Sequence, residues 1–324
     1  MRIPAYPPVI VPLADDVKRP LWSVMIPTYN CTSYLKEALI SVLRQDTGVE
    51  NMQIEVIDDA STDEDVESVV ALIGHGRVQY FRQKNNVGSL HNFETCINRS
   101  RGHLVHLLHG DDRVASGFYE QFTRAFQHYP EAGAVFSHYA FIDEAGHRTH
   151  LPSLELGEGI LPDWLLRIAE YQRIQYASIV VKREVYENLG SFYGTTYGED
   201  WEMWVRIARY YPMAYIQETL AEYRGHANSI SSQKARTGQL IADLMQVIAR
   251  IQEHLPEKDR RRILKLSGKY YAHLGIGASY QALQETGDWS LAQSQIKQCL
   301  TLSKHPYIYY YLFKFYLKYI LRMP

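Results

Sequence analysis

From residue 22 the chain alternates short β-forming runs with stretches of helical periodicity, and this alternation restricts the fold more than any other feature. WSVMIP (22–27) reads as a buried strand, and SYLKEALISVLRQ (33–45) as a helix with Leu35, Leu39 and Val42 or Leu43 on one side. QIEVID (53–58), VQYFRQ (78–83), HLVHLL (103–108) and AVFSHYAFID (134–143) read as further strands. Helices are expected from about Asp63, through HNFETCINRS (91–100) and near 116–128. A chain that repeats strand, helix, strand builds an α/β domain, a mostly parallel sheet doubly covered by helices.

Later segments extend the pattern and then abandon it. QYASIVVKREVYENLG (175–190) looks like a strand entering a short helix. GEDWEMWVRIARYY (198–211) sets Trp201, Trp204, Ile207 and Ala208 at helical spacing behind an acidic start. Beyond about 235 long helical runs follow at 238–254, 258–285 and 289–303, an all-α C-terminal region. The expected organisation is an extended arm at 1–21, a sheet domain at 22–233 and a helical region at 234–324. Within the last, GASYQALQETGDWSLAQSQIKQCLTLSKHP resembles one tetratricopeptide hairpin, with Gly287 at the turn and Ala292 and Ile296 at later helical positions.

Composition excludes several classes. Thirty-four basic against 36 acidic side chains leave a formal charge of −2, so the chain has no electrostatic signature of a nucleic-acid binder. Cys31, Cys96 and Cys299 lack metal-type spacing and fit a reducing cytoplasm as small core residues. The proline-rich start, MRIPAYPPVIVPLADDVKRP, has no apolar core of a signal peptide, and no run reaches the length of about 18 apolar residues that a spanning helix needs. The C-terminal YIYYYLFKFYLKYILRMP carries Lys314, Lys318 and Arg322 on one helical face, an amphipathic stripe that fits either contact with an inner membrane surface or a helix covering the bundle.

If the strands run parallel, the segments after the first four emerge on one edge of the sheet, where ligands bind in such folds. They are PTYN (27–30), DDAS (58–61), QKNNVG (83–88) and HGDD (109–112). Asp111 and Asp112 adjoin behind an apolar strand. Neighbouring carboxylates repel, so the pair suggests either a bound cation or a solvated turn.

PTYN, DDAST, NVG, HGDD and a late GED before an aromatic helix, in this order over residues 22–230, resemble the family-two glycosyltransferases, inverting enzymes of the type-A nucleotide-sugar fold. The resemblance implies that Pro27, Thr28, Tyr29 and Asn30 line the nucleobase pocket, that Asp59, or Asp58 in its place, hydrogen-bonds the base, and that Asn86 and Gly88 form a loop near the donor, supported by Asn92. In HGDD, His109 replaces the first acid of the more usual Asp-x-Asp-Asp. Asp112 is then the direct ligand of Mg²⁺ or Mn²⁺, Asp111 reaches the ribose or a metal-bound water, and His109 is a ligand or a spectator. Asp200 of GED takes the place of the catalytic base, with Glu199 as its competitor, and a helix N-terminus favours its anion. In YRGHANSIS (223–231), Arg224 would neutralise leaving-group charge and His226 would reach the metal or the diphosphate.

The activity implied is metal-dependent inverting transfer from a nucleotide-diphospho-sugar donor to a glycan or lipid-linked acceptor in cell-surface polysaccharide synthesis, one sugar at a time, since the processive Gln-x-x-Arg-Trp signature is absent. The expected location is the cytoplasm, with peripheral contact at the inner membrane surface. Two rivals are a sugar-phosphate nucleotidyltransferase, whose Gly-rich triphosphate loop has no counterpart in PTYNCTSYLKE, and a catalytically silent nucleotide-sugar-binding or scaffold protein.

Overall fold

The computed structural model describes residues 2–14, 16–155 and 157–321; Arg322 of the terminal stripe lies outside them. The chain forms two compact units. One takes Met1–Pro162, Ile174–Gly194 and Tyr210–Gly225; the other takes Asp163–Arg173, Thr195–Arg209 and His226–Pro324.

Among the described residues the first unit is built on a sheet of ten strands: β1 (Trp22–Thr28), β2 (Met52–Asp58), β3 (Gln79–Arg82), β4 (Leu104–Leu107), β5 (Arg113–Val114), β6 (Ala134–Ile142), β7 (Arg148–His150), β8 (Gly159–Ile160), β9 (Ile179–Lys182) and β10 (Met213–Arg224). The main order is β3-β2-β1-β4-β9-β6-β10-β5, with β7 on β6 and β8 on β10. β3, β2, β1 and β4 are parallel neighbours, as are β6 and β10. The short β9 runs antiparallel between β4 and β6. Every residue of β1 and β2 is buried, as expected for central strands covered on both faces.

In chain order the first four helices, α1 (Thr32–Leu43), α2 (Val66–Gly74), α3 (Ser89–Arg99) and α4 (Phe118–His128), belong to this unit. α5 (Trp164–Ile168) belongs to the other, α6 (Arg183–Leu189) to this one. α1 buries Leu35, Ala38, Leu39 and Val42, the expected stripe, and each large aliphatic side chain so buried contributes about 1.5–3 kcal/mol. α2 begins later than the periodicity suggests because the Asp65 side chain accepts the Ser68 amide at 3.2 Å and caps the helix there. Among its described residues the arm before β1 has no helix or strand but is tied down: Ile10 is buried, Ser191 N donates to Pro8 O at 2.8 Å, and Val11 N donates to Asn98 Oδ1 at 3.1 Å. Cys96 is a core residue of this unit, whereas Cys31 stands half-buried in the turn before α1.

The second unit is helical: α5, α7 (Glu199–Tyr210), α8 (Ile230–Thr237), α9 (Gln239–His254), α10 (Glu257–Thr286), α11 (Trp289–Leu302) and α12 (Pro306–Ile320). Trp201, Trp204 and Ile207 of α7 and Leu244, Val247, Ile248 and Ile251 of α9 are buried. Gly287, left-handed at φ 68°, ends α10, and the Asp288 side chain caps α11 through Leu291 N. Ala292 and Ile296 are buried on α11. α12 buries a narrow seam of Ile308, Leu312 and Phe315. Among the described residues no helix is long and apolar enough to cross a membrane.

Candidate active site

The turns after β1 to β4 are joined in a row along one edge of the sheet. Asp59 N donates to Thr28 O at 2.8 Å, Gln83 N to Asp58 O at 2.8 Å, and Gly110 N to Pro27 O at 3.2 Å. Asn30, at φ 49°, ties the first turn to the second: its amide donates to Ser61 Oγ, and its Oδ1 accepts from Thr62 N at 2.7 Å. Of the proposed nucleobase residues, Pro27 and Thr28 are buried, whereas the Tyr29 ring is 50% exposed.

The acidic turn lies against the first turn. A Cβ on Gly110 would sit 2.9 Å from Thr28 Oγ1 and 3.0 Å from Cys31 Sγ, so glycine is what lets the two loops approach. Asp112 is buried. Its Oδ1 accepts the Arg224 amide at 2.9 Å, while its Oδ2 is buried with no protein partner. His109, packed on Tyr176 with ring centroids 4.3 Å apart, likewise has a buried Nε2 without a partner. One ligand atom each from His109, Asp111 and Asp112 lie within 4.8 Å of one another. Burial, then the charge of Asp111, pushes the Asp112 carboxyl well up, and burial lowers His109, which keeps its ring neutral. Two orphaned ligand atoms beside a second carboxylate are a donor set that suits a divalent cation. Cys31 Sγ, nearby, is held as the thiol, because burial and the Asp111 charge raise its pKa.

Arg224 frames this turn. Its guanidinium is buried, with Nε on Asp111 O at 2.8 Å, Nη1 on the carbonyls of Asp143 and Glu144, and Nη2 on Glu37 Oε2 at 2.8 Å. Most of its donors are thereby engaged by the protein, which ties the acidic turn to α1 and to the 143–144 turn. Glu37, on α1, also pairs with Arg113 and was not apparent from the sequence pattern.

The two aspartates at the end of β2 differ. Asp58 is fully engaged: Oδ1 accepts Ser61 N at 2.9 Å, and Oδ2 accepts the Tyr80 hydroxyl at 2.8 Å and Arg82. Asp59 grips the loop after β3. Its Oδ1 accepts Val87 N at 2.7 Å, and its Oδ2 accepts Gly88 N at 2.9 Å and Asn86 Nδ2 at 3.0 Å. Gly88, at φ 90°, supplies the left-handed step that brings these amides round before α3. Burial outweighs those bonds and leaves the Asp59 carboxyl raised. Asn92 supports the same region through Ile57 O at 2.9 Å.

In the helical unit, Asp200 stands in the first turn of α7. Its Oδ1 accepts Trp201 N at 2.7 Å and its Oδ2 accepts Gln172 Nε2 at 2.6 Å. Both bonds favour the anion, as does the helix end, yet burial prevails and pushes the carboxyl up to about 6. Asp200 is therefore a stronger base than its place at a helix N-terminus alone suggests. Glu199 beside it is buried. His226 also falls in this unit, where its carbonyl accepts Ser229 N and the Ser232 hydroxyl. The potential ligand cluster among the described residues comprises His109, Asp111 and Asp112, without His226. Neither Gln172 nor the grip of Asp59 on its loop has a sequence signature.

A family profile described as glycosyl transferase family 2 matches residues 23–179. A glycosyltransferase of Rickettsia felis, itself uncharacterised, is 28% identical over 220 residues, covering 64% of this chain and 35% of the relative. Across three curated relatives the chain spans only 36%, 35% and 41% of their length. Among solved structures, residues 1–349 of S. aureus TarS with UDP-GlcNAc superpose at a TM-score of 0.65 and 14% identity, covering 86% of this chain and 79% of that one. The mannosyltransferase PcManGT from Pyrobaculum calidifontis, with GDP-Man and Mn²⁺, superposes at 0.57 and 18% identity, covering 98% and 89%. At these identities the superpositions establish the fold, a mixed α/β sheet of type A followed by helices. The profile match shows that residues 23–179, which include the four turns along the sheet edge, are similar to glycosyl transferase family 2.

Proposed function

We propose that the chain is a metal-dependent inverting glycosyltransferase that moves a sugar from a nucleotide-diphospho-sugar to an acceptor hydroxyl in the synthesis of a cell-surface polysaccharide or related glycan. The observation that carries this reading is the buried, unpartnered Oδ2 of Asp112, grouped with His109 and Asp111 at the edge where four parallel strands end. Asp112, Asp111 and His109 would hold Mg²⁺ or Mn²⁺, which when bound supplies charge neutralisation to the departing diphosphate. The exposed Tyr29 ring offers a face to the nucleobase, and Asp59 acts by fixing the Asn86–Gly88 loop.

In transfer, the acceptor oxygen forms a bond to the anomeric carbon as the bond from that carbon to the diphosphate breaks, and the acceptor's proton passes to Asp200. A carboxyl raised to about 6 is mostly ionised at neutral pH and still basic enough for that task. The donors bound by the two structural neighbours, UDP-GlcNAc and GDP-Man, support the donor class without choosing between them. We place the protein in the cytoplasm, with its acceptor a glycan or a lipid-linked glycan at the inner membrane surface. That placement draws support from α12, whose exposed Tyr309, Tyr310, Phe313, Leu317 and Ile320 run beside Lys314 and Lys318.

The test is a donor panel of uridine and guanosine diphospho-sugars assayed for release of nucleoside diphosphate, with Mn²⁺, Mg²⁺ or chelator, in wild type and Asp200→Asn. Cation-dependent turnover with one donor, abolished in Asp200→Asn, is expected. Full turnover by Asp200→Asn would remove Asp200 as the base, and binding of a donor without any turnover would favour a silent binding protein.

A further inference from the structure

We propose that Gln172 is a positioning residue for Asp200, orienting its carboxylate through one side-chain hydrogen bond and held in turn by Tyr271 of α10. The inference rests on the reading of Asp200 as the base. All the groups involved belong to the helical unit.

The Asp200 carboxylate accepts from Trp201 N on Oδ1 and from Gln172 Nε2 on Oδ2 at 2.6 Å, and the backbone amide of Asp200 itself also favours the anion. The two backbone donors are fixed by the helix, so the side-chain donor Gln172 is the one that can set the rotation of the carboxylate. Gln172 lies on the irregular stretch after α5, and a side chain on such a stretch is a poor guide unless the backbone is pinned. Here it is pinned repeatedly. Gln172 N donates to the Tyr271 hydroxyl at 2.9 Å, Ser267 of α10 donates to Ala169 O at 2.9 Å, and Trp201 Nε1 donates to Ile168 O at 2.6 Å. Tyr171 stacks on Tyr270 at 4.3 Å, with the Arg173 guanidinium over its other side at 3.7 Å. The Gln172 amide also has a defined orientation, since its Oε1 accepts Arg173 N at 3.0 Å, which directs its Nε2 to Asp200.

The bond acts on proton affinity as well as direction. Donation from Gln172 stabilises the carboxylate and partly offsets the burial that raises it. Of the ionisable groups around Asp200, Glu199 and Tyr197 lie on its own side of the chain, and Tyr271, backed by Tyr270, comes from α10. Loss of the Gln172 donor therefore moves the Asp200 titration further up, by about one to two pH units for a bond to a charged group. The acceptor hydroxyl then meets a carboxyl less often ionised and less well aimed.

The experiment follows the Asp200 carboxyl by ¹³C NMR titration in the full chain and, in parallel, the pH profile of kcat/KM, for wild type, Gln172→Leu and Tyr271→Phe. Gln172→Leu is expected to shift both the titration and the acid limb upward while nucleoside diphosphate affinity stays near wild type. Tyr271→Phe, which removes only the hydroxyl that anchors Gln172, should shift both in the same direction by less, and it serves alone if Gln172→Leu does not fold. An Asp200 titration unchanged in both variants overturns the proposal, even if turnover falls. A shifted titration with an acid limb that does not follow upholds the Gln172 contact and instead refutes Asp200 as the base.

Discussion

Asp59 offers the sharpest perturbation of the donor edge. The family resemblance assigns it to the nucleobase, but its oxygens are taken by Val87 N, Gly88 N and Asn86 Nδ2 at 2.7–3.0 Å. In Asp59→Ala two backbone amides and one side-chain amide lose a charged acceptor. Each such bond is worth about 1.5–3 kcal/mol where water is excluded. Residues 86–88 are only partly buried, so water recovers much of this. The variant also escapes the cost of burying the carboxylate, which the raised Asp59 pKa registers. A net loss of about 2 kcal/mol follows, a fall in Tm of about 4–8 °C at about 2–4 °C per kcal/mol. If donor binding must re-order the loop, the same energy weakens nucleoside diphosphate affinity by about thirtyfold. Asp59→Asn should fall between, since its oxygen can still accept one amide while its NH₂ faces donors. Scanning calorimetry, titration calorimetry and hydrogen exchange at Val87 and Gly88 make the measurement. Unchanged Tm and wild-type protection of those two amides in Asp59→Ala would refute the loop-clamp account, and lost affinity under those conditions would return Asp59 to the nucleobase.

Three further outcomes are expected. Asp200 must be ionised to accept a proton, and with a carboxyl at about 6 it is roughly nine-tenths ionised at pH 7 and one-tenth at pH 5, so kcat/KM should fall about tenfold between them; a flat profile would contradict this. His109→Ala removes the proposed nitrogen ligand, and the preference for Mn²⁺ over Mg²⁺ in nucleoside diphosphate binding should shrink, whereas an unchanged preference would make His109 a spectator. Phe313→Ser with Ile320→Ser should reduce co-sedimentation with anionic vesicles without lowering Tm, because both side chains are exposed; equal pelleting of variant and wild type would assign the α12 face to something other than lipid.

Much of the framework was legible because it rests on local signals. The apolar runs of β1 and β2 and the i, i+3, i+4 stripes of α1 and α7 report burial directly. β10 was largely hidden: MAYIQETLAEYR carries Gln, Glu and Thr where register shifts interrupt its pairing with β6, so only its end at Arg224 showed. Strand order was equally hidden, since nothing in Ile179–Lys182 says that it inserts antiparallel between β4 and β6. Composition changes near residue 233, whereas the helical unit also gathers Asp163–Arg173 and Thr195–Arg209 from earlier in the chain, a grouping made by contacts that leave no linear trace. At the site, residue types were readable but allegiances were not. Arg224 was read as a charge for the leaving group and its bonds to Asp111 O and Glu37 could not be read, and Asp59 was read as a partner of the base and its bonds to the 86–88 loop could not be read. Such roles depend on partners 27 to 187 residues away in sequence.

The central claim is that the His109–Asp112 turn holds a divalent cation for the donor's diphosphate. Titration calorimetry of uridine and guanosine diphosphate into wild type and Asp112→Ala, each with Mn²⁺ and with chelator, tests it most directly. Binding by wild type with Mn²⁺ alone, lost in Asp112→Ala, is the result expected; binding that is equal with and without the cation, or that survives in Asp112→Ala, would contradict it.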